Sequence, residues 1–232
     1  MRLIFVRHGE PDYVKDCLTP TGEKQAEAGA KRLASEGIEE IYSSPNGRAF
    51  QTASYTAKEL GLPITVLDYM HEITWGGEGL PENGHPWMLS DRMIFEEGFD
   101  FYREDWKKHP YFANNAATRD YEYVTSQFDL LIEKLGYKHE GNRFFCTAKE
   151  DKTVALFSHG GSGGSVIANL LGLPMPYVFT VMPYEFVSII ILNFPVMPGK
   201  YVFPRLEVFN DTNHTKGISN GLVLQQESID FK

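Results

Sequence analysis

Leu3-Ile4-Phe5-Val6-Arg7-His8-Gly9-Glu10 is the stretch on which the fold turns. Four apolar residues, two of them β-branched, read as a short buried strand that runs straight into Arg, His and Gly. Open α/β sheets bind ligands beyond the carboxyl ends of their strands, so a strand ending in reactive side chains predicts such a sheet. The alternative is a solvated turn that happens to hold Arg7 and His8, and the rest of the chain decides between them.

The following residues repeat the alternation. Thr19-Pro20 predicts an N-cap with proline at the first helical position, Ala26, Ala30, Leu33 and Ala34 form an apolar helical stripe, and Gly37 stops it. Ile38–Ser43 reads as a second strand. Asn46 opens a second helix with Ala49, Thr52, Ala53, Ala57 and Leu60 facing inward, and Ile64–Leu67 reads as a third strand. The order β-α-β-α-β predicts an α/β fold: a three-layer α/β/α sandwich around a mostly parallel sheet.

The pattern breaks at Trp75-Gly76-Gly77-Glu78-Gly79. Residues 76–120 read as a small helical cap inserted over the sheet edge of a single domain spanning 1–232, with short helices at Met88–Phe95 and Phe99–Trp106 and Trp75 on the pocket wall. Helical spacing resumes at Tyr121–Leu135, and a hairpin is expected around Glu140-Gly141-Asn142. A strand at Val154–Phe157 leads to a helix at Ser162–Leu171 capped by Ser162, and further strands fall at Val187–Phe194 and Tyr201–Phe209. His109 and His139 read as surface residues.

A net charge of −9, with no basic run, argues against a nucleic-acid surface, while 42% hydrophobic and 23% charged residues are ordinary globular values. Cys17 and Cys146 lie far apart and suit a reducing compartment without a disulfide framework or zinc site. The first strand is too short for a secretory h-region and Val187–Leu192 has a strand's length rather than a membrane span's, so a soluble cytoplasmic protein is expected.

Three strand-to-helix junctions carry the wrong charge for a purely structural role: Arg7-His8, Arg48 in the first turn of the second helix, and Ser158-His159-Gly160-Gly161. A helix N-terminus favours negative charge, so arginine there asks for compensation. An anion held between the junctions supplies it, gripped by two guanidiniums and by backbone N–H groups of the glycine-rich turn. In a parallel sheet all three junctions fall on one edge, and together they spell a phosphate site. A neutral imidazole with one nitrogen tied up is a good nucleophile toward phosphorus. A leaving alkoxide needs a proton, which His71-Glu72 just past the third strand can supply.

Arg7-His8-Gly9-Glu10, Arg48-Ala49-Phe50-Gln51-Thr52-Ala53, the glutamate of Met70-His71-Glu72-Ile73, and Ser158-His159-Gly160-Gly161 together resemble the histidine phosphatase superfamily, the phosphoglycerate mutase-like group. The order and spacing agree over about residues 1–75 and 150–214. The resemblance implies that His8 is phosphorylated, that Arg7, Arg48 and His159 hold the phosphoryl group beside Gly160, and that Glu72 is proton donor and then base for the attacking water. It implies no metal and no cofactor. The expected partner is a small phosphorylated metabolite, with oligomeric state left open. Mutase members usually continue R-H-G-E with a serine and an asparagine, whereas Pro11-Asp12-Tyr13 follows here, which favours phosphatase over cofactor-dependent phosphoglycerate mutase. His85, Arg92, Arg103, Lys107 and Arg119 are the insertion's candidates for touching substrate, set against a solvated surface role for any one of them.

Three rivals share these residues. Gly160-Gly161-Ser162-Gly163-Gly164 fits the G-x-S-x-G elbow of serine hydrolases, with Asp211 and His214 following in that fold's order. It leaves Arg7, His8 and Arg48 without a role. His8, Glu10, Asp12 and His159 could form a metal site, but two arginines would repel the cation. A catalytically silent phospho-ligand binder would not need nucleophile and acid together.

Overall fold

A computed structural model describes residues 1–89, 98–101 and 105–218. In chain order the elements are β1 (Arg2–Arg7), β2 (Pro11–Asp12), β3 (Cys17–Leu18), α1 (Pro20–Leu33), β4 (Glu40–Ser43), α2 (Gly47–Leu60) and β5 (Ile64–Val66). After them come α3 (Pro110–Ala113), α4 (Ala116–Lys134), β6 (Tyr137–Glu140), β7 (Arg143–Cys146), β8 (Thr153–Ser158) and α5 (Gly160–Leu171). The chain closes with α6 (Met175–Val181), β9 (Ile189–Asn193), β10 (Tyr201–Val202) and β11 (Arg205–Asp211).

Six strands form the central sheet in the order β11-β9-β1-β8-β4-β5. β1, β8, β4 and β5 are mutually parallel, and β9 runs against both its neighbours. Successive side chains of a strand leave opposite faces, and here that period sorts the core into two halves. Leu3 and Phe5 of β1, with Ile190 and Leu192 of β9, pack against Val124 and Phe128 of α4 and Val166 and Ile167 of α5. Ile4 and Val6, with Ile189 and Ile191, pack on the other face against Leu33 of α1 and Ala53 and Ala57 of α2. This is the mixed α/β, mostly parallel architecture read from the sequence. Among the described residues no helix is long and apolar enough to cross a membrane.

Several local expectations change. Tyr201–Phe209 is two strands: β10 pairs with β7 in a separate three-stranded sheet, and only β11 joins the main sheet. The hairpin at Glu140-Gly141-Asn142 forms as β6 and β7. His109 is buried, N-capping α3 by accepting from the Tyr111 amide, and His139 is tied to Asp129 and stacked on Phe144. Of the 76–120 stretch, Phe101, Trp106, Tyr111 and Phe112 join the main hydrophobic cluster. The helix expected at Met88–Phe95 lies largely outside the described residues, whereas in Phe99–Trp106 the described residues 99–101 and 105 are not helical and Trp106 opens a 3-10 turn that runs to Lys108.

Candidate active site

The carboxyl ends of β1, β4 and β8 bring the three junctions together. β1 and β8 pair in register from Arg2↔Thr153 to Arg7↔Ser158, so Arg7-His8 and His159-Gly160 leave the sheet side by side. The His8 and His159 ring centroids are 5.1 Å apart.

His8 is buried, and its Nδ1 lies 2.7 Å from the Gly9 carbonyl oxygen. A carbonyl can only accept, so Nδ1 carries the proton and Nε2 is left with its lone pair. Arg48 Nε donates toward that Nε2 across 3.4 Å. Burial pushes the His8 pKa well down, and the Arg7 and Arg48 guanidiniums add to that against the carbonyl bond. The imidazole is therefore held neutral, and its Nε2, met by Arg48 Nε, carries the lone pair that a nucleophile would use.

Arg7 is buried at the end of β1. Its Nη1 donates to the Tyr184 carbonyl oxygen at 2.7 Å, and its Cζ lies 4.4 Å from the Phe186 ring centroid. Phe186 also faces His8, with centroids 5.4 Å apart. Arg7 Nε and His159 Nδ1 are buried without a hydrogen-bond partner among the described residues. Buried polar groups are rarely left so, and an orphaned donor costs about 1–3 kcal/mol. Two such nitrogens flanking His8 fit a site built to close on an oxyanion. Gly160 leaves room beside them: a Cβ there would stand 3.6 Å from Arg7 Cζ.

His159 N-caps α5 by its backbone, and its Nε2 lies 2.7 Å from Ser44 Oγ. Burial, then the proximity of His8, Arg48 and Arg7, holds its pKa well below the usual histidine range. Tyr184 Oη donates to the His159 carbonyl oxygen at 2.8 Å. The cap expected at Ser162 thus falls three residues earlier, and Ser162 lies inside the first turn with its hydroxyl donating to the Met70 carbonyl oxygen at 3.2 Å.

Glu72 seats its carboxylate on that same helix start. Oε1 accepts from the Ser162 and Ile73 amides, each at 2.9 Å, and Oε2 accepts from the Gly161 amide at 3.2 Å. Burial raises its pKa even though the Ser162, Gly161 and Ile73 amides and Arg7 oppose the shift. A carboxyl poised above its ordinary range is suited to give and take a proton. Gly161 is required for the fit, since a Cβ there would come within 2.5 Å of Glu72 Oε1. Asn46 Oδ1 accepts from the Glu72 backbone amide at 3.0 Å, which ties the acid to the start of α2.

Sequence reasoning missed Asn46, Ser44, Tyr184 and Phe186 as neighbours of the site. Ser44-Pro45-Asn46 lies at the β4–α2 junction and was open to notice there. Tyr184 and Phe186 arrive from the loop before β9 with no local signal. Of the insertion candidates, His85 packs against Trp75 and Trp87, Lys107 pairs with Glu122, Arg119 is exposed, and Arg92 and Arg103 lie outside the described residues. Trp75 is partly exposed, with its ring against His85 and Trp87.

The rival sites are not assembled. Asp211 pairs with Arg32, and His214 Nε2 lies 2.9 Å from the Val187 carbonyl oxygen, so neither serves Ser162. Glu10 accepts from the Thr19 hydroxyl and Asp12 from the Val14 and Lys15 amides, which engages both carboxylates with nearby residues of the chain. Among the described residues no three His, Cys, Asp or Glu are grouped to hold a metal ion.

Comparison with known proteins finds relatives and solved structures similar to this chain. A Yersinia enterocolitica protein named "Probable phosphoglycerate mutase GpmB" is 33% identical over 184 residues, covering 75% of this chain and 76% of that one. Phosphoserine phosphatase 1 of Hydrogenobacter thermophilus is 25% identical over 187 residues, covering 75% and 78%. Among solved structures, Entamoeba histolytica phosphoserine phosphatase bound to 3-phosphoglyceric acid superposes with a TM-score of 0.61 at 24% identity, over 92% of this chain and 98% of that one. A mycobacterial glucosyl-3-phosphoglycerate phosphatase gives 0.62 at 24%, over 90% and 98%. The sequence profile of the histidine phosphatase superfamily (branch 1) matches residues 3–196, most of the chain including all four motif segments, and this protein belongs to that family.

Proposed function

We propose that this protein hydrolyses a small phosphomonoester through a phosphohistidine on His8. The observation that carries the reading is the pairing of a neutral His8, its Nδ1 spent on the Gly9 carbonyl, with a Glu72 carboxyl whose pKa is raised at the same sheet edge. Arg7, Arg48, His159 and the Gly160 turn surround the phosphoryl group and stabilise its charge as it transfers.

In the first step the His8 Nε2 lone pair attacks phosphorus and the bond to the ester oxygen breaks. Glu72 delivers its proton to that oxygen, so an alcohol leaves rather than an alkoxide. In the second step the Glu72 carboxylate takes a proton from water, the water oxygen attacks phosphorus, and the N–P bond breaks to return His8 and inorganic phosphate. His159, held neutral, donates to a phosphoryl oxygen without adding a charge that would hold the product.

Relatives named as phosphoserine and glucosyl-3-phosphoglycerate phosphatases support hydrolysis of a small phosphorylated metabolite, and Pro11-Asp12-Tyr13 after the first motif supports the phosphatase branch. We further infer a cytoplasmic setting, which two unpaired cysteines fit, and one folded unit in which Phe101, Trp106, Tyr111 and Phe112 share the main core. The test is p-nitrophenyl phosphate turnover near pH 6 with chelator present, run beside a 3-phosphoglycerate mutase assay. Chelator-resistant hydrolysis is expected; mutase activity without hydrolysis would move the protein to the isomerase branch.

A further inference from the structure

Arginine in the first turn of α2 stands against the helix dipole, and the sequence alone asked what offsets it. The chain carries its own answer. Asp16, in the loop between β2 and β3, places Oδ1 at 2.5 Å from Arg48 Nη1 and accepts from the Gly47 amide through Oδ2 at 2.7 Å. Asn46, the N-cap residue of α2, makes no side-chain cap, because its Oδ1 faces Ser44 and the Glu72 amide. The capping of α2 has thus passed from Asn46 to a carboxylate from another segment, and that carboxylate also grips a guanidinium of the phosphate site.

Two backbone features keep Asp16 there. Its φ is +50°, in the left-handed region that Asp and Asn tolerate best among non-glycine residues. A Cβ on Gly47 would fall 2.2 Å from the Asp16 carbonyl oxygen, so only glycine admits the loop this close to the helix. Burial opposes ionisation of Asp16, yet the Gly47 amide and Arg48 together hold its carboxyl below the ordinary range. Tyr13 of the same loop lies under the guanidinium, 5.4 Å from Arg48 Cζ to the ring centroid.

We propose that Asp16 is the positioning residue of Arg48. It engages the Nη1 corner from the loop side, and Tyr13 supports the plane. Nε then points at His8 Nε2, and the guanidinium edge that remains is the one a phosphoryl group on His8 would meet. The carboxylate also subtracts a positive charge from the pocket, which loosens inorganic phosphate and favours its release. This rests on the phosphohistidine reading above.

The experiment is a double-mutant cycle between Asp16 and Arg48 on p-nitrophenyl phosphate turnover, with inorganic phosphate binding measured by calorimetry on the same proteins. Asp16→Ala is expected to lower kcat at least tenfold with a smaller change in KM. Asp16→Asn, which keeps an acceptor for Arg48 and suits a positive φ, should stay within about threefold of wild type and bind inorganic phosphate severalfold more tightly. In the Arg48→Ala background Asp16→Ala should cost almost nothing further, whereas a merely structural role would cost the same in both backgrounds. Additive losses, or an Asp16→Ala enzyme with unchanged kcat, would overturn the proposal. A wild type without turnover whose Asp16→Asn variant still tightens phosphate would sink the hydrolytic reading and leave the Asp16 inference standing; unchanged phosphate binding would sink it too.

Discussion

Replacing Gly161 with alanine tests how closely the acid must be held. The added Cβ would sit 2.5 Å from both Glu72 Oε1 and Ile73 Cγ1, against 3.4 Å or more for ordinary contact, so the carboxylate must retreat by about 0.9 Å. It cannot retreat freely, because Oε1 and Oε2 are held by the Ser162, Ile73 and Gly161 amides. Misplacing a reacting group by about 1 Å costs on the order of 10²-fold, or roughly 2.7 kcal/mol of transition-state stabilisation. Fold stability changes less: overpacking costs about 1–3 kcal/mol, partly offset by about 0.5–1 kcal/mol from removing a helical glycine. The assay is kcat/KM, which reports steps up to phosphoryl transfer, for an alkyl phosphate and for p-nitrophenyl phosphate. A nitrophenolate leaves with little help from an acid, so the loss should approach a hundredfold for the alkyl ester and be much smaller for the aryl ester. Equal losses on both, or none on either while the variant remains folded, would refute the role given to Glu72 and its seat.

Glu72→Gln should lower kcat/KM for alkyl phosphates by about a hundredfold or more, the size of an acid–base contribution, and should abolish the alkaline limb of the pH profile, which Glu72 sets by ionising. The acid limb is expected well below the usual histidine range, because His8 resists protonation. Stability should follow the same groups. His8 and His159 have folded pKa values below their unfolded ones, so above about 6.5 they contribute nothing, and below it only the unfolded chain takes up their protons. Each should remove up to about 1.4 kcal/mol per pH unit as pH falls from about 6.5 toward the folded value. Urea unfolding at pH 7 and 5.5 should show this loss in wild type and a smaller one in His8→Asn; equal losses would show that His8 is not buried neutral.

The parallel core and the gathering of Arg7, His8, Arg48 and His159 at one sheet edge were legible because both are written locally. The run Leu3–Val6 alternates between two covered faces and so is apolar throughout, and Arg7, His8, Arg48 and His159 each fall within two residues of a strand end or helix start. What escaped depends on contacts far apart in sequence. Asp16 reaches Arg48 across 32 positions and Tyr184 reaches Arg7 across 177, and no periodicity encodes either. Ser162 looked like a cap because serine prefers that position, but the Glu72 carboxylate takes the orphan amides of α5 and frees the serine from capping. His109 looked like a surface residue by composition, yet Phe99 and Phe101 bury it as it caps α3. Tyr201–Phe209 carried strand propensity along its length, but the chain leaves one sheet for the other within it.

The central claim is that the phosphoryl group passes through His8, and trapping it is the direct measurement. Protein mixed with a labelled phosphomonoester and quenched within one turnover should carry an acid-labile, base-stable phosphoryl group on the peptide containing His8, and His8→Ala should carry none. Label on Ser162, or full turnover by His8→Ala without any trapped phosphohistidine in wild type, would contradict it.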